Sequence, residues 1–424
     1  MSSTSRTLAE WLAYIETRHP RSIELGLERV REVAARLGLQ RPAAQVVTVA
    51  GTNGKGSTVA FIEAIARADG WKVGAYSSPH LLRYNERVRI DGAEAADDEL
   101  AAAFAAVEAA RGDTPLTYFE YGTLAALWLF QQAGLDLAVL EVGLGGRLDA
   151  VNIVDPDVAV ITTVDVDHVD WLGSDREAIG QEKAGIARAW KPLVLGEIDP
   201  PSSVLRHAYA IGANAIRAGS DYFHEPAGEG QWQWREIGTE LLLPDPQLAA
   251  PVQRANAAAA IAALRALPRS PAEPACAAGV AAARIPGRLE RFEHDGVEVV
   301  VDVAHNPQAA RELAAWAKAR PASGATAMVL AVLADKDAAA IVQALEGCVD
   351  RWHLAGLEGI ARGEAVDALA ARLAGTAAAT GSRDASVEAA LARALAQSAP
   401  GDRVVVAGSF HTAAAALAML RSGQ

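Results

Sequence analysis

Cysteine is scarce in this chain, which has only Cys276 and Cys348 in 424 residues. Two thiols cannot form a framework of disulfides, and their wide separation lacks the spacing of a metal-ligand pair. Such sparse use is typical of a reducing compartment, where cysteine serves as a small buried hydrophobic residue. We therefore expect no structural disulfide and no metal bound by cysteine.

Positive charge is also in short supply. Lysine and arginine total 39 against 52 aspartates and glutamates, which leaves a net charge of −13 at pH 7. Binding to nucleic acid or to an anionic membrane needs a basic face, so we expect neither partner. An anionic small molecule would need a locally positive pocket.

Long apolar runs are missing as well. The longest candidates, such as residues 124–130, are far shorter than the roughly 20 residues of a membrane-spanning helix. The N-terminus lacks the basic region and the apolar stretch of a secretory signal. These absences predict a cytoplasmic protein.

What the chain does have is an alternation of short β-branched runs with helical stretches. In its first part, strands are predicted at residues 46–49, 72–76, 137–142, 158–162 and 193–196. This alternation is typical of a mostly parallel sheet covered by helices on both faces. Residues 222–243 instead alternate with period two, which predicts a small antiparallel hairpin.

A turn signal at residues 285–288 interrupts the pattern. Beyond it, strands are predicted at residues 297–303, 328–333, 351–354 and 403–407. The sequence therefore predicts an α/β protein of two domains. The first, residues 1–286, holds the mostly parallel sheet and the hairpin, and the second, residues 287–424, is a smaller Rossmann-like α/β domain.

The strongest local signal is a glycine-rich segment between the first of these strands and the helix that follows it. Its residues are Gly51, Thr52, Asn53, Gly54, Lys55, Gly56 and Ser57. Glycines let backbone N–H groups turn inward around phosphate oxygens, and the helix N-terminus adds partial positive charge. Lys55 can reach the terminal phosphates of a nucleotide, so the segment is predicted to be a phosphate-binding loop (P-loop). Gly56 separates Lys55 from Ser57, which departs from the usual Walker spacing.

Further motifs follow this loop in order along the chain. They lie at residues 77–81, 85–88, 141–152, 167–168, 182–186, 286–288, 302–307, 335–337 and 408–410. Together with the loop, they resemble the Mur ligase superfamily, specifically its folate branch, the dihydrofolate synthases and folylpolyglutamate synthases. The resemblance extends over residues 25–410, which is nearly the whole chain.

This resemblance implies an ATP-dependent ligase. Such an enzyme joins L-glutamate to dihydropteroate, and to the glutamate tail of reduced folates, through an acyl phosphate. ATP and Mg²⁺ are the implied cofactors, because phosphoryl transfer between anions depends on positioning and on cations that screen charge. The resemblance also implies a monomer.

The resemblance further implies which residues hold the nucleotide and the metal. The implied magnesium ligands are Ser78, Glu141 and His168. The implied nucleotide contacts outside the loop are Asn256, Arg288 and Asp302, with His305 in a supporting catalytic role. Glu141 also follows an apolar run, so its carboxylate is expected at the C-terminal edge of a parallel sheet, where ligands bind.

By the same resemblance, Lys55 and Lys183 are catalytic, and Lys183 is modified to a carbamate. Carbamylation turns this cation into an anion. Only a neutral amine reacts with carbon dioxide, and partial burial lowers the pKa of a lysine enough to permit this. The alternative is that Lys183 lies on a helix surface and pairs with Glu182 or Asp175.

An acceptor pocket for the pteroate group is implied too. Its residues are Leu25, Gly26, Leu27, Thr117, Phe119, Glu120, Leu148, Asp149 and Ala150. Phe119 is expected to stack on a flat pterin and Asp149 to hydrogen-bond it, unless Phe119 is a core residue of its helix. Positive charge for a carboxylate-rich substrate is available from Arg83, Arg87 and Arg147.

Two other functions are compatible with part of this pattern. A cell-wall UDP-muramyl amino-acid ligase shares the phosphate loop and the two α/β domains. Gly56 after Lys55 and the segments at Leu25 and Phe119 argue against it, and we expect no extra N-terminal sugar-binding domain before Gly51. A nucleotide-dependent switch would use the loop for timing, but the chain has no Asn-Lys-x-Asp guanine motif.

Overall fold

The computed structural model describes residues 6–19 and 23–422. These residues form two compact units. The first comprises the described residues up to Gln247 together with Arg254–Ala283, and the second comprises Leu248–Gln253 together with the described residues from Arg284 onward. Within the described residues, no helix is long and apolar enough to cross a membrane.

The first unit contains the large sheet that the sequence predicts. Its strands are β1 (Ala43–Ala50), β2 (Val73–Tyr76), β3 (Val88–Ile90), β4 (Ala93–Glu94), β5 (Leu135–Glu141), β6 (Val158–Ile161), β7 (Pro192–Leu195) and β8 (Asn214–Arg217). They are hydrogen-bonded in the order β4-β3-β2-β5-β1-β6-β7-β8. From β2 to β8 in this order the strands are parallel, whereas β3 and β4 pair antiparallel at one edge. The mostly parallel sheet is therefore confirmed.

Helices accompany this sheet throughout the unit. They are α1 (Leu8–Glu16), α2 (Glu28–Arg36), α3 (Lys55–Ala68), α4 (Asp97–Arg111), α5 (Tyr118–Ala133), α6 (Val169–Leu172), α7 (Arg176–Ala184), α8 (Ser202–Ile211), α9 (Gln253–Arg265) and α10 (Glu273–Ala282). The central strands β1 and β5 are buried along almost their whole length. Continuous apolar runs of this kind need cover on both faces of the sheet, which is why helices and parallel strands alternate here.

The period-two segment forms a small antiparallel sheet with one strand more than the predicted hairpin. Within the described residues its strands are β9 (Tyr222–Pro226), β10 (Gln231–Glu236) and β11 (Thr239–Pro244), in the order β11-β10-β9. Trp232 and Trp234 of β10 are fully buried. In β9 only Tyr222 is buried, so that strand carries little of the alternating signal.

The second unit is built on its own sheet. Its strands are β12 (Glu290–His294), β13 (Val297–Val301), β14 (Thr326–Leu330), β15 (Arg351–Ala355), β16 (Ser382–Asp384) and β17 (Arg403–Ala407), and its helices are α11 (Pro307–Ala319), α12 (Ala338–Leu345), α13 (Val366–Arg372), α14 (Val387–Ala396) and α15 (Phe410–Ser422). The strand order is β12-β13-β17-β14-β15-β16. Only β12 pairs antiparallel among the described strands of this sheet, which confirms the predicted α/β class.

The core of the second unit includes residues from outside its continuous stretch of chain. Ala249 and Ala250, which precede α9, pack against the apolar core cluster of this unit. The short segment Leu248–Gln253 therefore belongs to this unit by its packing.

Candidate active site

The predicted phosphate loop leaves the C-terminal end of β1 and leads directly into α3, which begins at Lys55. A Cβ on Gly51 would lie 1.8 Å from Thr162 Oγ1, and a Cβ on Gly54 would lie 2.5 Å from Asn256 Oδ1. Gly54 also has a φ of +87°, a conformation that favours glycine. Close contacts therefore require both glycines, and one of these contacts places the predicted nucleotide residue Asn256 beside the loop.

Threonines that follow β6 hold this loop from the neighbouring strand. Thr162 Oγ1 donates to Asn53 O at 2.6 Å, and Asn53 N donates to Thr163 Oγ1 at 3.2 Å. Thr52 N donates to Thr163 O at 2.8 Å. These threonines were not identified from the sequence, although their position at the end of a predicted strand was the available signal.

Lys55 is positioned by the loop that it is predicted to serve. Its Nζ donates to Gly51 O at 2.9 Å and to Thr52 O at 3.2 Å. Gly56 and the buried Ser57 follow in the first turn of α3. An ammonium and the N–H groups of a helix N-terminus thus meet at one loop, which is an arrangement that binds phosphate.

Two of the predicted magnesium ligands meet at the edge of the sheet. Glu141 ends β5, pairs in register with Val49 of β1 and is 4% exposed. Ser78 follows β2, which lies on the other side of β5, and its N–H donates to Glu141 Oε2 at 3.2 Å. The C-terminal ends of parallel strands are where open α/β sheets bind ligands.

His168, the third predicted ligand, directly precedes α6 and has a φ of +52°. Its backbone N–H donates to Asp167 Oδ1 at 2.8 Å. Across residues 6–19 and 23–422, no three histidine, cysteine, aspartate or glutamate side chains converge as a preformed metal cage. Mg²⁺ remains compatible with this donor set, because it commonly takes one or two protein oxygens and completes its shell with waters and phosphate oxygens.

Lys183 lies in α7 with only 3% of its surface exposed. Burial, together with the positive charge of Lys55, lowers the pKa of Lys183 to about 7, while Asp167 and Glu197 act in the opposite direction. The surface-lysine alternative is wrong. Glu182 pairs with Arg147 at 2.9 Å, and Asp175 caps α7 by accepting from the N–H groups of Glu177 and Ala178.

The predicted acceptor residues converge around the N-terminus of α5. Thr117 caps this helix, and its N–H donates to Glu120 Oε2 at 2.7 Å. The buried Glu120 also pairs with Arg29 at 2.9 Å, and Arg29 extends to Glu24 beside Leu25, Gly26 and Leu27. Glu120 is therefore engaged in holding this helix terminus.

Phe119 lies against the glycine-rich turn that follows β5. A Cβ on Gly143 would lie 2.6 Å from the Phe119 ring, and the centroid of the Tyr76 ring lies 6.0 Å from that of Phe119. Phe119 is half-buried and packs at the margin of the core. Phe119 therefore takes part in core packing, as the second interpretation expected, and its stacking on a pterin stays a prediction.

Asp149 lies in the same turn, between the half-buried Leu148 and the buried Ala150. Its carboxylate accepts from Leu144 N at 2.8 Å and from Val151 N at 3.0 Å. Burial raises the pKa of Asp149 to about 7, although these backbone hydrogen bonds and the charge of Lys55 act to lower it. At neutral pH this side chain can both donate and accept hydrogen bonds.

Three predicted residues belong to the second unit. Asp302 follows β13 and accepts from Leu289 N at 2.9 Å and from Ala304 N at 2.8 Å, and burial raises the pKa of Asp302. The guanidinium of Arg288 lies 5.3 Å from the centroid of the Phe410 ring, and the His305 ring lies 5.8 Å from the same centroid. Arg288 and His305 thus share one aromatic neighbour.

Two known protein families together match most of this chain. The Mur ligase middle domain family matches residues 49–264, and the Mur ligase glutamate ligase domain family matches residues 287–410. A dihydrofolate synthase/folylpolyglutamate synthase of Escherichia coli K12 is 48% identical over 408 residues, covering 96% of this chain and 94% of that protein.

Solved structures agree with this match. The structure of E. coli FolC in complex with DHPP and ADP has a TM-score of 0.93 and 47% identity, and covers 99% of both chains. A bifunctional folylpolyglutamate synthase/dihydrofolate synthase with Mn, AMPPNP and L-glutamate bound has a TM-score of 0.90 and 46% identity, and covers 98% of both chains.

Proposed function

This chain belongs to the dihydrofolate synthase/folylpolyglutamate synthase family of the Mur ligases, and from that premise we propose how its own residues carry out the family's reaction. The reaction is the ATP-dependent joining of L-glutamate to dihydropteroate and to the glutamate tail of folates, which makes the chain a C–N ligase. The family favours this reaction over that of a cell-wall ligase and over the role of a nucleotide-dependent switch.

The reaction has two steps, because a carboxylate is too poor an electrophile to react with an amine directly. A carboxylate oxygen of the acceptor attacks the γ-phosphorus of ATP, ADP leaves, and an acyl phosphate forms. The neutral amine of L-glutamate then attacks the acyl carbon, the amide bond forms, and phosphate and one proton are released.

The phosphate loop carries this assignment. Residues Gly51–Ser57 present an ammonium and the N-terminus of α3 together, and Thr162 and Thr163 hold the loop in place. A positioned cation contributes most where charge moves during phosphoryl transfer. We assign Lys55 to the β- and γ-phosphates, and Asn256, which contacts the loop at Gly54, to the nucleotide.

Mg²⁺ is assigned to Ser78, Glu141 and His168. When bound, it would screen the repulsion between the phosphoryl group and the acceptor carboxylate. The buried Glu141 carboxylate and the Ser78 hydroxyl are hard oxygen donors suited to this ion.

Lys183 is assigned as a carbamate, R–NH₂ + CO₂ → R–NH–COO⁻ + H⁺. The pKa of about 7 supports this, because a large share of the amine is neutral at physiological pH. We expect a ¹³C NMR spectrum of the native protein in ¹³C-bicarbonate to contain a carbamate resonance that Lys183→Arg removes. A resonance that persists in this variant would contradict the assignment.

The acceptor is assigned to the pocket around Phe119. The ring would stack on the pterin, and Asp149, whose pKa lies near neutrality, would exchange hydrogen bonds with its polar edge. Leu25, Gly26, Leu27, Thr117, Glu120, Leu148 and Ala150 complete the pocket. Together with Phe119 and Asp149, these pocket residues come from three parts of the chain, at residues 25–27, at residues 117–120 and in the turn after β5.

Residues of the second unit complete the proposal. Arg288 is assigned to the nucleotide phosphates and Asp302 to the ribose. His305 is given a supporting role near the γ-phosphate. We further propose that the enzyme acts as a cytoplasmic monomer on small molecules alone, without nucleic-acid or membrane partners.

The test is an ADP-release assay with ATP, Mg²⁺ and L-glutamate. Dihydropteroate, tetrahydrofolate and a UDP-muramyl acceptor would be compared at equal concentrations. We expect turnover with the first two acceptors. Turnover with the UDP-muramyl acceptor alone would overturn the proposed function.

A further inference from the structure

The structure separates the three arginines that the sequence offers for a carboxylate-rich substrate. The Arg83 side chain is 63% exposed and pairs with Asp97 at 3.2 Å, and the Arg147 side chain is 51% exposed and pairs with Glu182 at 2.9 Å. Arg87 is 9% exposed. Arg83 and Arg147 would each have to break an ion pair with the protein before binding a substrate carboxylate.

Arg87 differs from the other buried arginine of the described chain. Arg403 pairs with Glu298 at 2.7 Å, whereas within residues 6–19 and 23–422 no carboxylate lies within 4 Å of Arg87. The Nε of Arg87 donates to Nδ1 of His80 at 2.8 Å. Its terminal nitrogens make no hydrogen bond to the described protein and reach accessible space.

Aromatic rings flank this guanidinium. Its Cζ lies 5.3 Å from the centroid of the Tyr84 ring and 5.6 Å from that of Tyr118. The Tyr84 hydroxyl is itself buried without a hydrogen-bond partner in the described residues. The hydrogen bond to His80 and the two rings orient the guanidinium, and its two terminal nitrogens (the fork) remain available to a ligand.

A buried guanidinium without a counter-ion is costly, so its retention points to a ligand that supplies the negative charge. The planar fork matches a carboxylate or a phosphate, to which it can donate two parallel hydrogen bonds. In an acidic protein, such an unpaired buried cation is a locally positive site.

The position of Arg87 connects it to the acceptor pocket. Tyr118 directly precedes Phe119 in α5, and the ring of Tyr76 lies 6.0 Å from that of Phe119. The charges of Arg87 and Asp149 both act on the pKa of Tyr76. Arg87 therefore lies on the same side of the unit as the residues assigned to the pterin.

The chemistry of the two acceptors, dihydropteroate and folate, indicates which anionic group would bind Arg87. Dihydropteroate has one carboxylate, which is the group that reacts and is served by Lys55 and Mg²⁺. A folate that ends in glutamate has a second, unreactive α-carboxylate, which needs a cation of its own when it is removed from water.

We propose that Arg87 binds the α-carboxylate of the terminal glutamate on a folate acceptor and so determines the specificity of the enzyme for acceptors that already carry a glutamate tail. This inference rests on the proposed function, because it assigns a part of the same acceptor site. His80 is a positioning residue for the fork.

The test compares equilibrium binding of tetrahydrofolate and dihydropteroate in the presence of AMPPNP and Mg²⁺. Calorimetry would be carried out on the wild-type chain, Arg87→Gln and Arg87→Lys. Arg67→Gln is the control, because Arg67 is an exposed arginine of the same unit that pairs with Asp91. A third ligand is tetrahydrofolate with its α-carboxylate converted to the amide.

We expect Arg87→Gln to bind tetrahydrofolate about 10- to 100-fold more weakly, the range of a lost charge-assisted pair. Its affinity for dihydropteroate should change less than about threefold, and this also shows that the variant is folded. Arg87→Lys should be intermediate, and Arg67→Gln unchanged. The wild type should bind the α-amide more weakly than tetrahydrofolate by a similar factor. Arg87→Gln should bind these two ligands with nearly equal affinity.

An equal loss for dihydropteroate and tetrahydrofolate would overturn the proposal, as would undiminished binding of tetrahydrofolate by Arg87→Gln. The proposal would also be overturned if amidation of the α-carboxylate weakened binding to Arg87→Gln by as large a factor as it weakens binding to the wild type. Failure of the proposed function is a separate result, because it would appear as absent ADP release by the wild type with either acceptor.

Discussion

At the scale of single residues, burial brings the titration of two site groups to neutral pH from opposite directions. The pKa of Lys183 falls to about 7 and that of Asp149 rises to about 7, in each case mainly because burial disfavours the charged form. The lysine is thereby available as a neutral amine, and the aspartate as a neutral acid. The positive charge of Lys55 lowers the pKa of both groups, so the loop lysine affects the titration of Lys183 and of Asp149.

Asp149 leads to a prediction about stability and pH. Its carboxyl titrates at 3.8 when unfolded and at about 7 when folded, so the folded state holds an extra proton between these values and loses stability as pH rises through this window. Asp149→Asn has no such group. Its unfolding midpoint, relative to wild type, should be higher at pH 8 than at pH 5 by roughly 4–8 °C.

Thermal unfolding at the two pH values measures this difference. Asp155→Asn is the control, because the side chain of Asp155 is 80% exposed in the same unit. It should show no comparable dependence on pH. A constant offset between Asp149→Asn and wild type at both pH values would show that the Asp149 carboxyl titrates normally.

Lys55 leads to a prediction about turnover. Lys55→Ala removes the loop ammonium from the transferring phosphoryl group, and we expect kcat for ADP release to fall by about 10²- to 10³-fold or more. Lys191→Ala is the matched control, since Lys191 is half exposed and pairs with Asp157 at the surface. Comparable turnover in the two variants would mean that the nucleotide is bound elsewhere.

At the scale of elements, the site is built where parallel strands end. β1 ends at the phosphate loop, β5 ends with Glu141, β2 is followed by Ser78, and β6 by the two threonines that hold the loop. Adjacent parallel strands bring their C-terminal ends to one edge, so groups that are far apart in sequence become neighbours. Helices α5 and α7 add Phe119 and Lys183.

The two ends of α3 offer a matched pair of glycine substitutions. Gly54 precedes this helix with a φ of +87° and faces Asn256, whereas Gly70 follows it with a φ of +76° and open space around the Cβ position. Both changes to alanine should cost about 1 kcal/mol of stability through backbone strain. Only Gly54→Ala should also raise KM for ATP, by about tenfold or more, because the loop and Asn256 must move apart.

Steady-state kinetics with varied ATP, together with thermal unfolding, distinguishes these effects. Equal KM values for ATP in the two variants would show that the Gly54 contact does not shape the nucleotide site. A loss of affinity in Gly70→Ala would show that strain alone propagates along α3.

At the scale of the whole molecule, anionic substrates must bind to a chain with a net charge of −13. Their binding therefore depends on local cations, and nucleotide binding is linked to folding. AMPPNP with Mg²⁺ at 100 times its Kd should stabilise the native state by about 2.7 kcal/mol. This corresponds to a rise in the unfolding midpoint of roughly 5–10 °C.

Calorimetry of thermal unfolding with and without the analogue tests this expectation. Lys55→Ala should gain clearly less stability at the same ligand concentration. A full gain in this variant would contradict the assignment of Lys55 to the phosphates. A gain that needs no divalent ion would contradict the assignment of Mg²⁺ to Ser78, Glu141 and His168.

Elements at the edges of the sheets show where prediction from the sequence reached its limit. The edge strands β4 and β12 carry charged residues such as Glu94 and Glu290, because an edge strand faces water and protects itself from pairing with other chains. They therefore lack the apolar pattern that predicted the central strands. The hairpin predicted at residues 222–243 has one strand too few for a related reason, since only one residue of β9 is buried.

The amino-acid sequence alone determined the α/β class, the phosphate loop and the order of the site motifs, because these depend on local signals: apolar periodicity, glycine spacing and residues at strand ends. Only the tertiary structure decided which charges are paired. The burial of Lys183, the threonine contacts of the loop and the unpaired Arg87 depend on residues far apart in the chain. Whether a charge is solvated, paired or left for a ligand depends on these distant neighbours, and no local pattern specifies them.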